Sequence, residues 1–168
     1  MLKLGQIIKT VLKTEITMRF PDFRFYGWAK ADCRPVDEKY SALRDPRYLY
    51  AALSRIWCAD TCAPRMRDRW TPENMTLGQC SVTAFLAQDV FGGTVRGIPL
   101  GDGNYHCYNV ADGCVFDLTS EQFAPKGLTY SSSDPEQLRE VHFAKEEKRL
   151  RYEYLKSKLI EYLNTGEV

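Results

Sequence analysis

The chain has 168 residues, of which 44% are hydrophobic and 27% charged, and its formal net charge is +1. That length suits a single domain able to bury roughly 70% of its unfolded surface, and the balanced charge gives no reason to expect nucleic acid or an anionic membrane as a partner. No stretch reaches the ~20 apolar residues of a membrane span, and lysines interrupt the first apolar residues where a secretory signal needs an unbroken core, so a cytoplasmic location is expected.

In chain order, Leu2, Leu4, Ile7, Ile8, Val11 and Leu12 recur at helical spacing and predict an amphipathic helix of about three turns. Phe20 to Trp28 reads as a strand or extended segment, limited in pairing by Pro21, and residues 31–44 read as a loop. Asp45-Pro46 is a helix start, with aspartate as cap and proline at the first position; the helix over Tyr48 to Trp57 should bury Leu49, Ala52, Leu53 and Ile56. Arg65 to Asn74 is polar and proline-punctuated, hence a surface loop. Cys80 to Phe91 then reads as a helix stopped by Gly92-Gly93, which places Cys80 in a first turn.

Thr94 to Pro99 is a short strand and Leu100 to Asn104 a turn. The glycines at 97, 101 and 103 do not make a phosphate loop, because no helix follows to supply amide hydrogens. Asp112-Gly113 between Tyr105–Val110 and Cys114–Thr119 is a strong hairpin signal. A two-residue turn pairs Ala111 with Cys114 and Val110 with Val115, which puts His106, Tyr108, Val115, Asp117 and Thr119 on one face. His106 and Asp117 are then diagonal neighbours, at Cβ distances of ~7 Å or less. A bulge at Gly113 would instead send Asp117 to the other face and bring Asn109 or a water into consideration. Asp134-Pro135 reads as a further helix start, followed by one long helix or two shorter ones, with the charge run Glu146 to Arg151 as a solvated face and His142 at the surface or satisfied by packing.

The six cysteines, at 33, 58, 62, 80, 107 and 114, are expected to be reduced thiols in a chain of this size without an export signal. Cys58 and Cys62 lack a second Cys/His pair at zinc-site spacing, so neither a metal nor another cofactor is expected. Cys80 stands out. A thiol must be deprotonated to react, and both a helix N-terminus and an imidazolium favour the thiolate. His106 is suited to take the thiol proton and return it to a leaving group, and Asp117 to orient the ring. Backbone amide hydrogens at the helix start are candidate oxyanion donors, with the side chains of Gln79 and Asn74 as possible second donors and Trp70 and Asn109 as further substrate-contacting candidates.

The order of cysteine at a helix start, histidine on a strand and aspartate on the next strand resembles the core of papain-like and transglutaminase-like cysteine hydrolases. More closely, Trp70-Thr71-Pro72-Glu73-Asn74, Gly78-Gln79-Cys80-Ser81-Val82-Thr83-Ala84, Gln88-Asp89-Val90-Phe91-Gly92-Gly93, His106-Cys107-Tyr108-Asn109 and Phe116-Asp117-Leu118-Thr119-Ser120-Glu121-Gln122-Phe123 are similar to the YunG-like family of small bacterial proteins. The similarity spans about Tyr48 to Phe123 and the last helix, and it departs at residues 1–45, at Cys58 and Cys62, and at Cys107, where an aromatic residue is expected.

Chain length gives one domain over 1–168, and the resemblance implies that it is α+β with a papain-like or transglutaminase-like core (46–123), the nucleophile helix packed on a small antiparallel sheet, between an N-terminal extension (1–45) and a C-terminal helix (134–163). That family has no established activity. Three functions remain open: a Cys80–His106–Asp117 hydrolase or acyl transferase acting on a peptide or glutamine amide, a catalytically silent module binding a peptide or protein, and a thiol redox or metal-binding protein.

Overall fold

The computed structural model describes residues 18–166; the amphipathic helix expected over residues 2–12 lies outside them. Four helices, α1 (Pro46–Ile56), α2 (Cys80–Phe91), α3 (Arg139–Phe143) and α4 (Glu146–Thr165), accompany three strands, β1 (Thr94–Pro99), β2 (Tyr105–Ala111) and β3 (Cys114–Phe116). The strands form one antiparallel sheet in the order β1-β2-β3. The architecture is α+β.

Helix α2 is the centre of the core. Its apolar residues are not confined to one stripe, and Val82, Ala84, Phe85, Leu86, Ala87 and Val90 are all buried, as expected of a helix covered on every side. The sheet packs on one flank, and α1 and α4 pack on others. Asp45 accepts the amide hydrogen of Arg47 at 2.8 Å with Pro46 at the first helical position, so α1 starts where the sequence places it. It buries Tyr50 in addition to Leu49, Ala52, Leu53 and Ile56.

The strong hairpin signal holds. Asp112 and Gly113 both take positive φ, 48° and 74°, which is the two-residue turn whose twist matches that of the strands. Ala111 pairs with Cys114, Val110 with Val115 and Asn109 with Phe116, so no residue is inserted. Beside that same turn, a Cβ on Gly93 would collide with the carbonyl oxygen of Val110. With φ of 73° as well, this glycine lets α2 end directly against β2.

Elsewhere tertiary contacts override local signals. Phe20 to Trp28 is not a strand: only Tyr26 bridges, to Asp117, before a 3-10 turn over Trp28–Lys30. The expected loop over 31–44 contains a 3-10 helix, Glu38–Leu43, that buries Tyr40 and Leu43. The polar loop at 65–74 is likewise shaped by 3-10 helices at Pro64–Arg69 and Pro72–Asn74.

Asp134-Pro135 does not start a helix. Residues 135–137 run extended along the open edge of β1, with Gly97 donating to the Pro135 carbonyl at 3.0 Å and Gln137 to that of Val95 at 2.8 Å. Pairing this edge satisfies backbone groups that would otherwise be a template for association. Helix formation begins only at Arg139, and a break at Ala144-Lys145 separates α3 from α4. The break resets the helical phase: Leu138, Val141, Leu150 and Tyr154 are exposed, whereas Tyr152, Leu155, Leu159 and Tyr162 are buried. The charge run is also not wholly solvated. Arg151 is 6% exposed, donating to Glu147 Oε1 at 2.7 Å and to the Thr61 carbonyl at 3.0 Å.

Among the described residues, no helix is long and apolar enough to cross a membrane. Substituting Gly93→Ala should destabilise the fold by about 1–3 kcal/mol, the usual cost of a strained backbone residue, with the added clash against Val110 pushing towards the upper end. Urea unfolding of the variant against wild type measures this.

Candidate functional site

Cys80 opens α2 after a loop held from below. Gly78 has φ of 69°, and a Cβ there would meet Cys62 Sγ at 2.6 Å. The Gly78 carbonyl accepts from the Ala63 amide at 2.9 Å, and Gln79 Nε2 donates to the Cys58 carbonyl at 3.0 Å. Cys58 and Cys62, both free thiols, thus belong to the turn that seats the start of α2. Cys62 is buried against Gly78.

His106 comes from the first part of β2 and Asp117 from just beyond β3, where the Asp117 amide donates to the Tyr26 carbonyl at 3.0 Å. Their side chains meet as the hairpin register requires: His106 Nε2 lies 2.6 Å from Asp117 Oδ2, and each side chain is 1% exposed. The carboxylate is saturated. Oδ2 also accepts from Tyr130 Oη at 2.6 Å, while Oδ1 accepts from the Thr119 amide at 3.0 Å and the Thr119 hydroxyl at 3.2 Å. Phe123 stands edge-on to the imidazole, with ring centres 4.7 Å apart.

With Nε2 committed to Asp117, the other ring nitrogen, Nδ1, is buried without a hydrogen-bond partner in the protein. Cys80 lies beside this ring and beside the Cys107 thiol. Its contact with His106 is looser than a formed hydrogen bond, as is common in an unliganded site, but close enough to couple their protonation. The Cys80 thiol is held well below its ordinary pKa, first by the adjoining Cys107 thiol and against the effect of burial, then by His106 and the Cys107 amide hydrogen. Burial alone would depress the His106 imidazolium, but the Asp117 carboxylate and then the Cys80 sulfur outweigh it and raise the pKa to about 10. The favoured state at neutral pH is therefore a thiolate beside an imidazolium. Cys107 is driven the other way, well above its ordinary value, by its contact with Cys80 and by burial.

These groups open onto a cleft of about 350 Å³ lined by Cys80, His106, Cys107, Phe123 and His142, among others. A larger and shallower hollow of about 610 Å³ over Asp32 to Asp45 contains no histidine or cysteine. Four other expected site residues are not brought here. Gln79 is fully buried with its amide turned to Cys58, because the loop needs that donor below α2. Trp70 uses its indole N–H on the Met75 carbonyl at 2.9 Å, and Asn74 is exposed on the 3-10 turn behind the loop. Asn109 lies on the opposite face of β2 and donates to the Ala84 carbonyl at 2.8 Å, pinning the sheet to α2.

Two residues join the site that sequence reasoning assigned elsewhere or missed. Tyr130 sits in a segment without a periodic pattern, so nothing local announces its bond to Asp117; it stacks on Tyr26 with ring centres 3.7 Å apart. His142 is packed on Phe85 and Phe143, and it lines the cleft with Cys80 rather than facing solvent. Burial and then the neighbouring Lys148 lower its pKa to about 4, so it is a neutral imidazole. Among the described residues, no group of three or more His, Cys, Asp or Glu side chains is arranged to hold a metal ion.

The family model for the YunG protein matches residues 45–164. The chain belongs to the YunG protein family. It is 48% identical over 56 residues to a Bacillus subtilis (strain 168) protein named "Uncharacterized protein YunG". That match covers 33% of this chain and 48% of the relative, so the chain spans about half the length of the curated relative it matches. No solved structure matches the chain. The family match begins at the cap of α1 and ends within α4, which encloses Cys80, His106, Asp117, Tyr130 and His142.

Replacing Asp117→Asn should drop the His106 pKa well below about 10, since burial is then opposed by the Cys80 sulfur without the carboxylate. Histidine ring NMR titration reads this directly. The linkage has a definite sign: a raised folded pKa gives stability fully present below pH 6.5 and lost as pH rises to about 10. The stability gap between wild type and Asp117→Asn should therefore shrink over that window.

Proposed function

We propose that this protein is a cysteine hydrolase or acyl transferase acting on an amide, of a peptide or of a glutamine side chain, on a papain-like or transglutaminase-like core. One observation carries the reading: Cys80 lies beside an imidazole whose far nitrogen is held at 2.6 Å by a buried, fully hydrogen-bonded carboxylate. Buried charge of this kind is costly in a fold. It has an immediate use if it keeps a neighbouring thiol ionised.

In the proposed reaction the Cys80 thiolate attacks the amide carbonyl, forming a C–S bond and placing negative charge on the carbonyl oxygen. The amide hydrogens of the first turn of α2 have no acceptor within the helix and are available to that oxygen. His106 then gives its Nδ1 proton to the departing amine as the C–N bond breaks, leaving a thioester on Cys80. A water or an acceptor amine, deprotonated by the same nitrogen, attacks the thioester and restores the thiolate. Asp117 keeps Nε2 protonated throughout, and Tyr130 and Thr119 keep Asp117 in place. Gln79 takes no part, since its amide is turned away.

A second reading, thiol–disulfide exchange through Cys80 and Cys107, is favoured by the adjacency of the two thiols. It requires Cys107 to act as the second nucleophile, and the raised pKa of that buried thiol opposes this role.

The test is iodoacetamide labelling across pH with mass-spectrometric location of the label. Cys80 should react well below pH 8, and His106→Ala should slow it by about a hundredfold near pH 6.5 while leaving a folded protein by circular dichroism. Labelling of Cys80 no faster than that of Cys58 or Cys114 would sink the catalytic reading. If Cys107→Ser abolishes the rapid labelling while His106→Ala does not, the exchange reading replaces it.

A further inference from the structure

The cleft at Cys80 has a one-sided charge. Arg65 and Arg69 border it from the 3-10 turn before α2, and Lys145, Lys148 and Arg151 border it from the start of α4. No Asp or Glu lines it among the described residues. The chain as a whole is nearly neutral at +1, so this concentration of cations is local.

Two of the five are engaged. Arg151 is bound to Glu147 and to the Thr61 carbonyl, and Lys148 Nζ stands 3.5 Å from His142 Nδ1. Burial and then Lys145 lower the Lys148 pKa, against the smaller opposing effects of Cys107 and Glu147. Arg65, Arg69 and Lys145 are exposed and, among the described residues, have no acidic partner within ion-pair distance. Asp102, in the turn beyond β1, is within range of the field of Arg65 but not paired with it.

From this we infer that the substrate of the Cys80 site carries an anionic group, a carboxylate or a phosphate, close to the carbonyl that Cys80 attacks. The inference builds on the proposed acyl-transfer reading for the role of Cys80, while the anion preference itself rests on the cleft. Free guanidinium and ammonium groups around a concave site concentrate anions and hold them with charge-assisted hydrogen bonds. Apolar contact from Leu77, Leu100 and Phe123 in the same cleft suits the carbon skeleton between the anion and the reacting carbonyl.

Iodoacetate and iodoacetamide separate charge from nucleophilicity. Both form the same S–C bond and expel iodide, so the ratio of their rates cancels the fraction of thiolate. At low salt, the iodoacetate-to-iodoacetamide ratio at Cys80 should exceed that of N-acetylcysteine by about tenfold, and it should fall towards the reference as ionic strength rises. The triple variant Arg65→Gln/Arg69→Gln/Lys145→Gln, altered only at exposed side chains, should abolish the excess. A wild-type ratio equal to the reference, or an excess that survives the triple substitution, overturns the inference.

Should Cys80 take neither reagent, unfolding temperatures decide. A rise with millimolar glutarate or inorganic phosphate in wild type, lost in the triple variant, supports the anion site and shows which anion it prefers; no rise overturns it. The iodoacetamide profile alone judges the catalytic reading, so either conclusion can fail without the other.

Discussion

A carboxylate 1% exposed to solvent is tolerated only when its lone pairs are filled, and the Asp117 environment is built to fill them. Four donors converge on it: the His106 ring, the Tyr130 hydroxyl, and the amide and hydroxyl of Thr119. They come from three different parts of the chain. The ring depends on hairpin register, the Thr119 donors on the chain turning just after β3, and Tyr130 on the segment that folds back over Tyr108 and Tyr26. Losing any one leaves a buried anion under-solvated, at a cost of about 1–3 kcal/mol. The hairpin, the Tyr26 bridge and the 130–134 segment are thereby coupled through one side chain.

The same arrangement explains why the thiol can be ionised inside a cleft. Desolvation works against both a thiolate and an imidazolium, and neither would survive alone. Placed together, with Asp117 behind the ring, they form a chain of alternating charge, carboxylate, imidazolium, thiolate. The loop before α2 sets where the third member stands. Gly78 allows Cys62 to pack directly beneath, the Gln79 amide ties the loop to Cys58, and Arg151 of α4 reaches Thr61 in the same turn. The C-terminal helix thus supports the loop before α2 as well as covering the core.

The parts of the fold that could be read from sequence are those in which a local rule and the tertiary structure agree. Asp45-Pro46 caps α1, Gly92-Gly93 stops α2, and Asp112-Gly113 fixes a register from which the His106–Asp117 contact follows. Asp134-Pro135 carries an equally good local helix signal and fails, because the open edge of β1 offers its backbone better hydrogen bonds than a helix start would. The Asp134 side chain serves Tyr108 Oη and the Ser131 amide instead. Gln79, next to Cys80 in sequence, points away from it, whereas Tyr130 and His142 are 50 and more residues away and point in. Sequence proximity to Cys80 was a poor guide because a helix start projects successive residues in different directions.

Two ranges of electrostatics act at the cleft, and they need different residues. Ionising Cys80 is a short-range task, done by groups touching the sulfur and its histidine; Arg65, Arg69 and Lys145 are not among its causes. Exposed charges are screened within about 8 Å at physiological ionic strength, so those three cations act on what enters the mouth rather than on the thiol. His142 stands between the two ranges. Burial and the proximity of Lys148 keep it neutral, with a pKa of about 4, and a neutral imidazole beside Cys80 adds no positive charge that would compete with His106 for the thiolate. A second imidazolium there would draw the sulfur away from the His106 ring. The cationic start of α4 therefore both attracts anions to the cleft and, through Lys148, leaves a single charged histidine at its base.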